Sequence, residues 1–235
     1  MKTIFLTLAL AAASFAALAQ SQPVTVARPS MAAPADAFTA TMAATIAEQN
    51  AAKAPAAAQA VLAKLERIAA AAPTAWEPRY YQARGYLQLG FASEGADDEQ
   101  RDKLFDQAQA ALDQAKKLPG ADQAELLVMQ AYIYQGRIMV APMTRGMVYS
   151  GRVAEALSQA KTLAPSNPRV YLLLGNDSFY RPSMFGGGAE KAKPLYEKAK
   201  SLFASFKPAT VLSPVWGEKM TDAMLARVNG TAATK

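Results

Sequence analysis

Three prolines set the frame of this chain. Pro73, Pro119 and Pro165 are spaced 46 residues apart, and the same step separates Gly90 from Gly136 and Tyr86 from Tyr132. Repetition with a period of about 20 to 50 residues marks stacked supersecondary units, each of which buries its apolar face only against its neighbours. A chain of that kind is a surface for holding something. The repeat says little about what is held.

The units read as helices. Much of the apolar content is alanine, the strongest helix former, and β-branched runs bounded by turns are scarce, so an all-α fold is expected. Asp36 is placed to cap a first helix over 36–50, and Pro55 opens a second that carries Val61, Leu62, Leu65 and Ile68. Tyr80, Ala83 and Leu87 then share one face at helical spacing, as do Leu127, Ala131 and Tyr134 in the next unit. Gly90 and Gly136 are read as the stops of these two helices, glycine being the usual residue at that position. Their partners are expected at about 102–118 and over the stretch carrying Val153, Leu157, Ala160 and Ala164. A fourth unit opens at Pro168, and its second helix carries Pro194, which predicts either a late start near Ala192 or a kink. A last helix over about 215–228 closes the array.

The first residues are set apart from the fold. Lys2, an uncharged apolar run over 4–16 and the small-x-small triplet Ala17-Leu18-Ala19 predict a secretory signal peptide over 1–19, cleaved between Ala19 and Gln20. The alternative, an uncleaved anchor, fits less well because the segment is short and alanine-heavy for a span. Residues 20–35, with Pro23, Pro29 and Pro34, are expected to be a flexible leader, 36–228 the helical repeat domain and 229–235 a frayed tail.

The chain has neither cysteine nor histidine. That removes disulfides, thiolate chemistry, the commonest general base and the commonest transition-metal ligand. Lysine and arginine outnumber acids 25 to 19, but the excess is scattered among alanines and glutamates and forms no stripe suited to nucleic acid. No cofactor is implied, and no segment after the signal reads as a membrane span.

Tyr171, Leu174 and Gly175, then Val153, Leu157, Ala160 and Pro165, then Ala192, Tyr196 and Ala199, stand at the spacings of the tetratricopeptide repeat (TPR), which residues 55–206 resemble. Asn167-Pro168-Arg169, Pro182 and Phe185-Gly186-Gly187-Gly188 also look like small exported TPR-like proteins of Gram-negative bacteria. The resemblance implies a right-handed solenoid of about four TPR-like helix pairs with a C-terminal capping helix, and a periplasmic or secreted location. One departure stands out. A standard unit has about 34 residues, and here the surplus falls between the two helices of each pair, at 91–101, 139–151 and 181–188. Extended intra-pair loops are therefore expected on one edge of the stack.

Several constellations bear on function. Met143, Met147, Tyr149, Met184 and Phe185 fall in the inserts and suit an adaptable apolar surface for a partner; alternatively the loops fold back and cap the stack. Arg169, Asn176, Asp177 and Tyr180 follow the first helix of the fourth unit. With Arg137 and Arg145 they could receive a carboxylate or an acidic peptide, or they are ordinary surface polarity with Asp177 paired to Arg181. Asp97-Asp98-Glu99 lacks the pattern of a calcium loop and reads better as an acidic lead-in to a helix. Gly186-Gly187-Gly188 could hold an anion or make a tight turn. Trp216 reads as an anchor for the capping segment in preference to a ligand platform. No Ser–Lys or carboxylate pair is singled out by spacing. The expectation is a non-catalytic binding or scaffold protein that presents a TPR-like groove to a peptide or protein partner. The alternative is a small organic anion held near the fourth helix pair.

Overall fold

The computed structural model describes residues 36–92 and 97–233. The expected signal peptide, its cleavage at Ala19–Gln20 and the leader lie outside the described residues. Among those described there are nine α-helices and no strand: α1 (Ala37–Ala51), α2 (Pro55–Ala71), α3 (Glu77–Ala92), α4 (Asp98–Ala115), α5 (Gln123–Val140), α6 (Pro142–Leu163), α7 (Pro168–Tyr180), α8 (Ala189–Ser205) and α9 (Glu218–Ala233), with a 3-10 turn at Ser183–Phe185. The helix α9 thus includes residues 229–233, which the sequence reading placed in a tail.

Local chemistry sets most helix starts. Asp36 accepts from the Thr39 backbone N–H at 2.8 Å, Asp97 from Gln100 at 2.7 Å and Asp122 from Glu125 at 3.1 Å. Asn167 accepts from Arg169 at 3.0 Å. Each such cap stabilises its helix by about 1 kcal/mol. Pro55, Pro142 and Pro168 occupy the first turns of α2, α6 and α7, where a missing N–H costs nothing. Asp97 is a cap and Asp98 and Glu99 sit in the first turn, so the acidic run begins α4 four residues earlier than expected. Pro194 lies inside α8, which starts at Ala189 and gives up one backbone bond to accommodate it.

Two expectations are corrected. Gly90 and Gly136 do not stop helices: both lie inside α3 and α5. They are points of close approach. The ring of Phe105 from α4 sits against both, and a Cβ at either position would overlap it. The repeat therefore records a packing requirement, with Gly175 in α7 against Tyr196 of α8 as a third instance.

The other correction concerns the inserts. The segment 139–151 is not a loop, because α5 runs to Val140, Ala141 turns the chain, and α6 starts at Pro142 and is 22 residues long. The surplus over a standard repeat suggested a loop, and Gly146 and Gly151 each cost a helix about 1 kcal/mol relative to alanine. The distal half of α6 buries Val153, Ala156, Leu157 and Ala160, and that packing carries the helix through them. The 181–188 insert is a short turn in which Gly186 (φ 79°) and Gly188 (φ 105°) adopt left-handed conformations, which accounts for those glycines without an anion.

Packing is serial. Each helix contacts the next in sequence, and α1, α3, α5 and α7 also touch one another side by side. The core runs along this array through Leu65, Leu87, Phe105, Leu112, Met129, Ile133, Leu157, Leu173 and Tyr196, all essentially inaccessible. The segment after α8 then returns across the odd-numbered helices. The Tyr81 hydroxyl donates to the Leu212 carbonyl at 2.9 Å, and the Trp216 indole N–H donates to the Tyr80 hydroxyl at 3.0 Å. Trp216 is buried there, in the anchoring role expected of it.

Candidate functional site

The six polar residues expected to bind a ligand each have a partner within the chain. Arg137 pairs with Asp102 and Asp106, and Arg145 forms two parallel bonds to Asp102 at 2.5 and 2.6 Å. These bonds hold the Asp102 carboxyl below its ordinary range and raise the Arg145 guanidinium. Asp177 pairs with Arg181 one turn on. Burial nevertheless pushes the Asp177 carboxyl upward, outweighing that pairing. Asn176 accepts from the Tyr196 hydroxyl at 3.0 Å, and the Tyr180 hydroxyl accepts from Arg227 at 3.1 Å. Arg169 and Tyr180 stand at opposite ends of α7, about 16 Å apart along its axis at 1.5 Å per residue, so they do not line one cavity. Arg137 and Arg145 meet at Asp102.

Arg169 is the centre of a buried network that the sequence did not disclose. Its guanidinium bonds the Glu125 carboxylate through Nε at 3.1 Å and Nη2 at 2.5 Å. Asn167 donates to the same carboxylate at 2.6 Å, and the Tyr80 hydroxyl donates to it at 3.1 Å. Through Trp216 the network joins α3, α5, α7 and the C-terminal segment. Burial raises the Tyr80 phenol well above its ordinary range, so it stays a donor. A recess of about 280 Å³ opens beside this network, with Asp122, Glu125, Arg169 and Lys207 on its walls. Two acids and two bases share these walls, and the Arg169 Nη1 atom is buried without a hydrogen-bond partner.

The methionine edge is exposed. Met143 and Met147 are 89% and 90% accessible on one face of α6, and Met184 and Phe185 are 82% and 67% accessible in the 3-10 turn. The opposite face of the α6 extension is fixed to the body: Arg145 reaches Asp102, and Tyr149 packs its ring 5.6 Å from that of Tyr134. Met143, Met147, Met184 and Phe185 therefore do not fold back as a cap.

A second recess was not anticipated. It has a volume of about 340 Å³ and lies between the α1–α2 turn, the end of α3, α5 and the start of α9. Leu89, Phe91, Tyr132, Met220 and Pro55 form apolar walls, with Gln88 and Lys53 as the polar members. An aromatic column stands along it. Phe91 stacks on Tyr132 (centroids 4.9 Å apart), and Tyr132 stacks on Trp216 (5.6 Å, 14° between planes). The Tyr132 hydroxyl lies 3.9 Å from the Met220 sulfur, and burial raises that phenol above its ordinary range. Tyr132 had been visible as a period marker and Trp216 as an anchor. Their meeting, across a separation of 84 positions, had no local signal.

No helix among the described residues is long and apolar enough to cross a membrane. No family model matches the chain, and no curated protein matches it. Among solved structures the chain is similar to the HusA haemophore from Porphyromonas gingivalis, with a TM-score of 0.73 and 27% sequence identity. The match covers 85% of this chain and 96% of that one. The likeness is to a protein described as a haemophore and extends over nearly all of it, which favours a binding role over catalysis.

Proposed function

We propose that this chain is a non-catalytic carrier that captures a planar, largely apolar ligand of the porphyrin class in the groove between α3, α5 and α9. The observation that carries the reading is the Phe91–Tyr132–Trp216 column beside Met220, in a chain similar to a haemophore over 96% of that protein's length. Stacked rings and a thioether offer a flat ligand a polarisable wall. The volume of about 340 Å³ is at the lower end of small-molecule sites, about 300 to 1,000 Å³.

With neither histidine nor cysteine in the chain, the groove side chains that could hold an iron porphyrin's metal would be the Tyr132 phenol and the Met220 thioether. Most of the affinity then comes from apolar contact. The fold is read as TPR-like helix pairs forming a solenoid, with an N-terminal signal peptide that directs the chain to the periplasm or beyond.

Haemin titration of the chain from Gln20 onward, followed by its Soret band, tests the reading. A saturable shift that is lost in Tyr132→Ala and Phe91→Ala, and kept in Met143→Ser, is expected. An unchanged titration in the groove variants overturns the reading.

A second reading has its own support, the exposure of Met143, Met147, Met184 and Phe185. That edge suits a peptide or protein partner that takes the ligand over or delivers it. A photo-crosslinker at position 147 should then join one defined envelope protein, whereas the same group at the exposed Glu155 should not. Equal yields from both positions count against it.

A further inference from the structure

Two arginines are buried in the described structure, and they differ in one respect. Arg169 has the Glu125 carboxylate. Arg84, on the inner face of α3 and 7% accessible, has no carboxylate within ion-pairing distance among the described residues. Its one hydrogen bond goes to a neutral acceptor, the Gln49 side-chain carbonyl, at 2.7 Å. Gln49 is itself buried and is held by donating to the Tyr81 carbonyl at 2.8 Å. The guanidinium otherwise lies against the Trp216 ring, 5.9 Å from its centroid. Burial lowers its proton affinity, partly offset by the neighbouring tyrosines Tyr80, Tyr81 and Tyr132. A buried cation without a counter-charge is costly to fold around and persists where something else supplies the charge.

Arg84 does not itself line the apolar groove, but its neighbours on three sides are one step from the groove walls. Gln88, one helical turn further along the same face of α3, is part of its wall, and Phe91 follows at the next turn. Gln49 precedes Ala52 and Lys53 of the α1–α2 turn, which form another wall. Trp216, against which Arg84 rests, is stacked on Tyr132 of the third.

We propose that Arg84 is the carboxylate anchor of this groove: a ligand with a flat apolar body lies along Phe91, Tyr132 and Met220, and its carboxylate displaces the Gln49 carbonyl to take the Arg84 guanidinium in a two-bond fork. Arginine suits this because its planar donors match a carboxylate and it stays charged when buried. Gln49 serves as a neutral placeholder that satisfies one N–H while the site is empty. The inference rests on the groove being the ligand site, and it specifies the ligand's chemistry as an amphipathic aromatic carboxylate.

The test uses 1-pyrenebutyrate and its methyl ester, followed by pyrene fluorescence, with the chain from Gln20 onward. The unmodified protein is expected to bind the acid about tenfold more tightly than the ester, the size of effect a charge-assisted bond gives. Arg84→Met should erase that preference by weakening the acid about tenfold while leaving the ester within about twofold. Arg84→Lys should retain part of it. Equal affinity for acid and ester, no binding of either, or an equal loss of both in Arg84→Met overturns the proposal. The acid–ester comparison in the unmodified protein needs no variant, so it stands even if Arg84→Met fails to fold. The porphyrin reading is judged separately by haemin. Haemin binding with no acid preference removes the Arg84 role alone, and a clear acid preference without haemin binding removes the porphyrin reading alone.

Discussion

Replacing Gly136 with alanine should destabilise this protein, against the intrinsic preference of a helix. Gly136 is inside α5, and in an exposed helix the change would stabilise by about 1 kcal/mol. Here the added Cβ would stand 2.8 Å from Cε1 and 2.9 Å from Cζ of Phe105, inside the closest approach real Cβ atoms show. Phe105 has no room to retreat, because Gly90 of α3 lies against the same ring and the residue is fully buried. Overpacking of this kind costs about 1 to 3 kcal/mol. The net effect is a loss of up to about 2 kcal/mol once the helix term is subtracted. Urea unfolding followed by far-UV circular dichroism measures it, and melting should fall by about 2 to 4 °C per kcal/mol for a chain of this size. The decisive comparison repeats the change in a Phe105→Leu background, which lacks the Cε1 and Cζ atoms. There the helix preference alone should remain and Gly136→Ala should become neutral or stabilising. If Gly136→Ala stabilises the unmodified protein, or loses the same free energy in both backgrounds, the close-approach account of the repeated glycines is wrong.

Two more expectations follow from the buried and half-buried ion pairs. Arg169→Met leaves Glu125 buried without its cation and should cost about 3 to 5 kcal/mol by urea unfolding, whereas the double change Arg169→Met with Glu125→Leu should recover most of that; equal costs for the single and double variants would show that the charge pairing is irrelevant. The Asp102 carboxyl, held below its ordinary value of 3.8 by hydrogen bonds and charge from Arg145 and Arg137, stabilises the fold only while ionised. Its contribution is complete above the unfolded value and is lost as pH falls through the lower folded one, so Asp102→Asn should be less stable than the parent at pH 7, by under about 1 kcal/mol because the group is near solvent, with the gap closing in acid below about pH 3.8. A gap that widens on acidification would refute the assignment.

The all-helical fold was legible because its signals are local. Asp36, Pro55 and Pro168 act within three residues of where they stand, and each performs the capping or first-turn role its type suggested. The small-large-small steps in the second helix of the fourth unit were legible too: Ala192, Tyr196 and Ala199 are all buried. Where local rules competed with packing, the reading failed. The surplus of the third unit was expected to form a loop at 139–151, but the apolar stripe further along α6 keeps the chain helical through Gly146 and Gly151. Gly90 and Gly136 looked like stops because glycine ends helices more often than it receives a ring from a neighbouring one.

The candidate site divides in the same way. Exposure of Met143, Met147 and Phe185 fits their place in the inserts, though on helical turns in place of loops. Arg169 was singled out as a ligand residue, and the fold gives its charge to Glu125, an acid that in sequence is indistinguishable from an ordinary first-turn residue of α5. Arg84 was passed over, since nothing near it in sequence shows that it lacks a partner.

The sequence alone determined a repeating helical chain without thiol or imidazole chemistry, since period, caps and composition act over one or two turns. Tertiary structure decided which residue each side chain would meet. Trp216 returns 136 positions to Tyr80, Tyr81 binds Leu212 across 131, and Glu125 pairs with Arg169 across 44. Contacts of that range are selected by the competition of all helices for one core, so no local pattern could have shown that Tyr132 and Met220 would share a groove beside an arginine without a counter-charge.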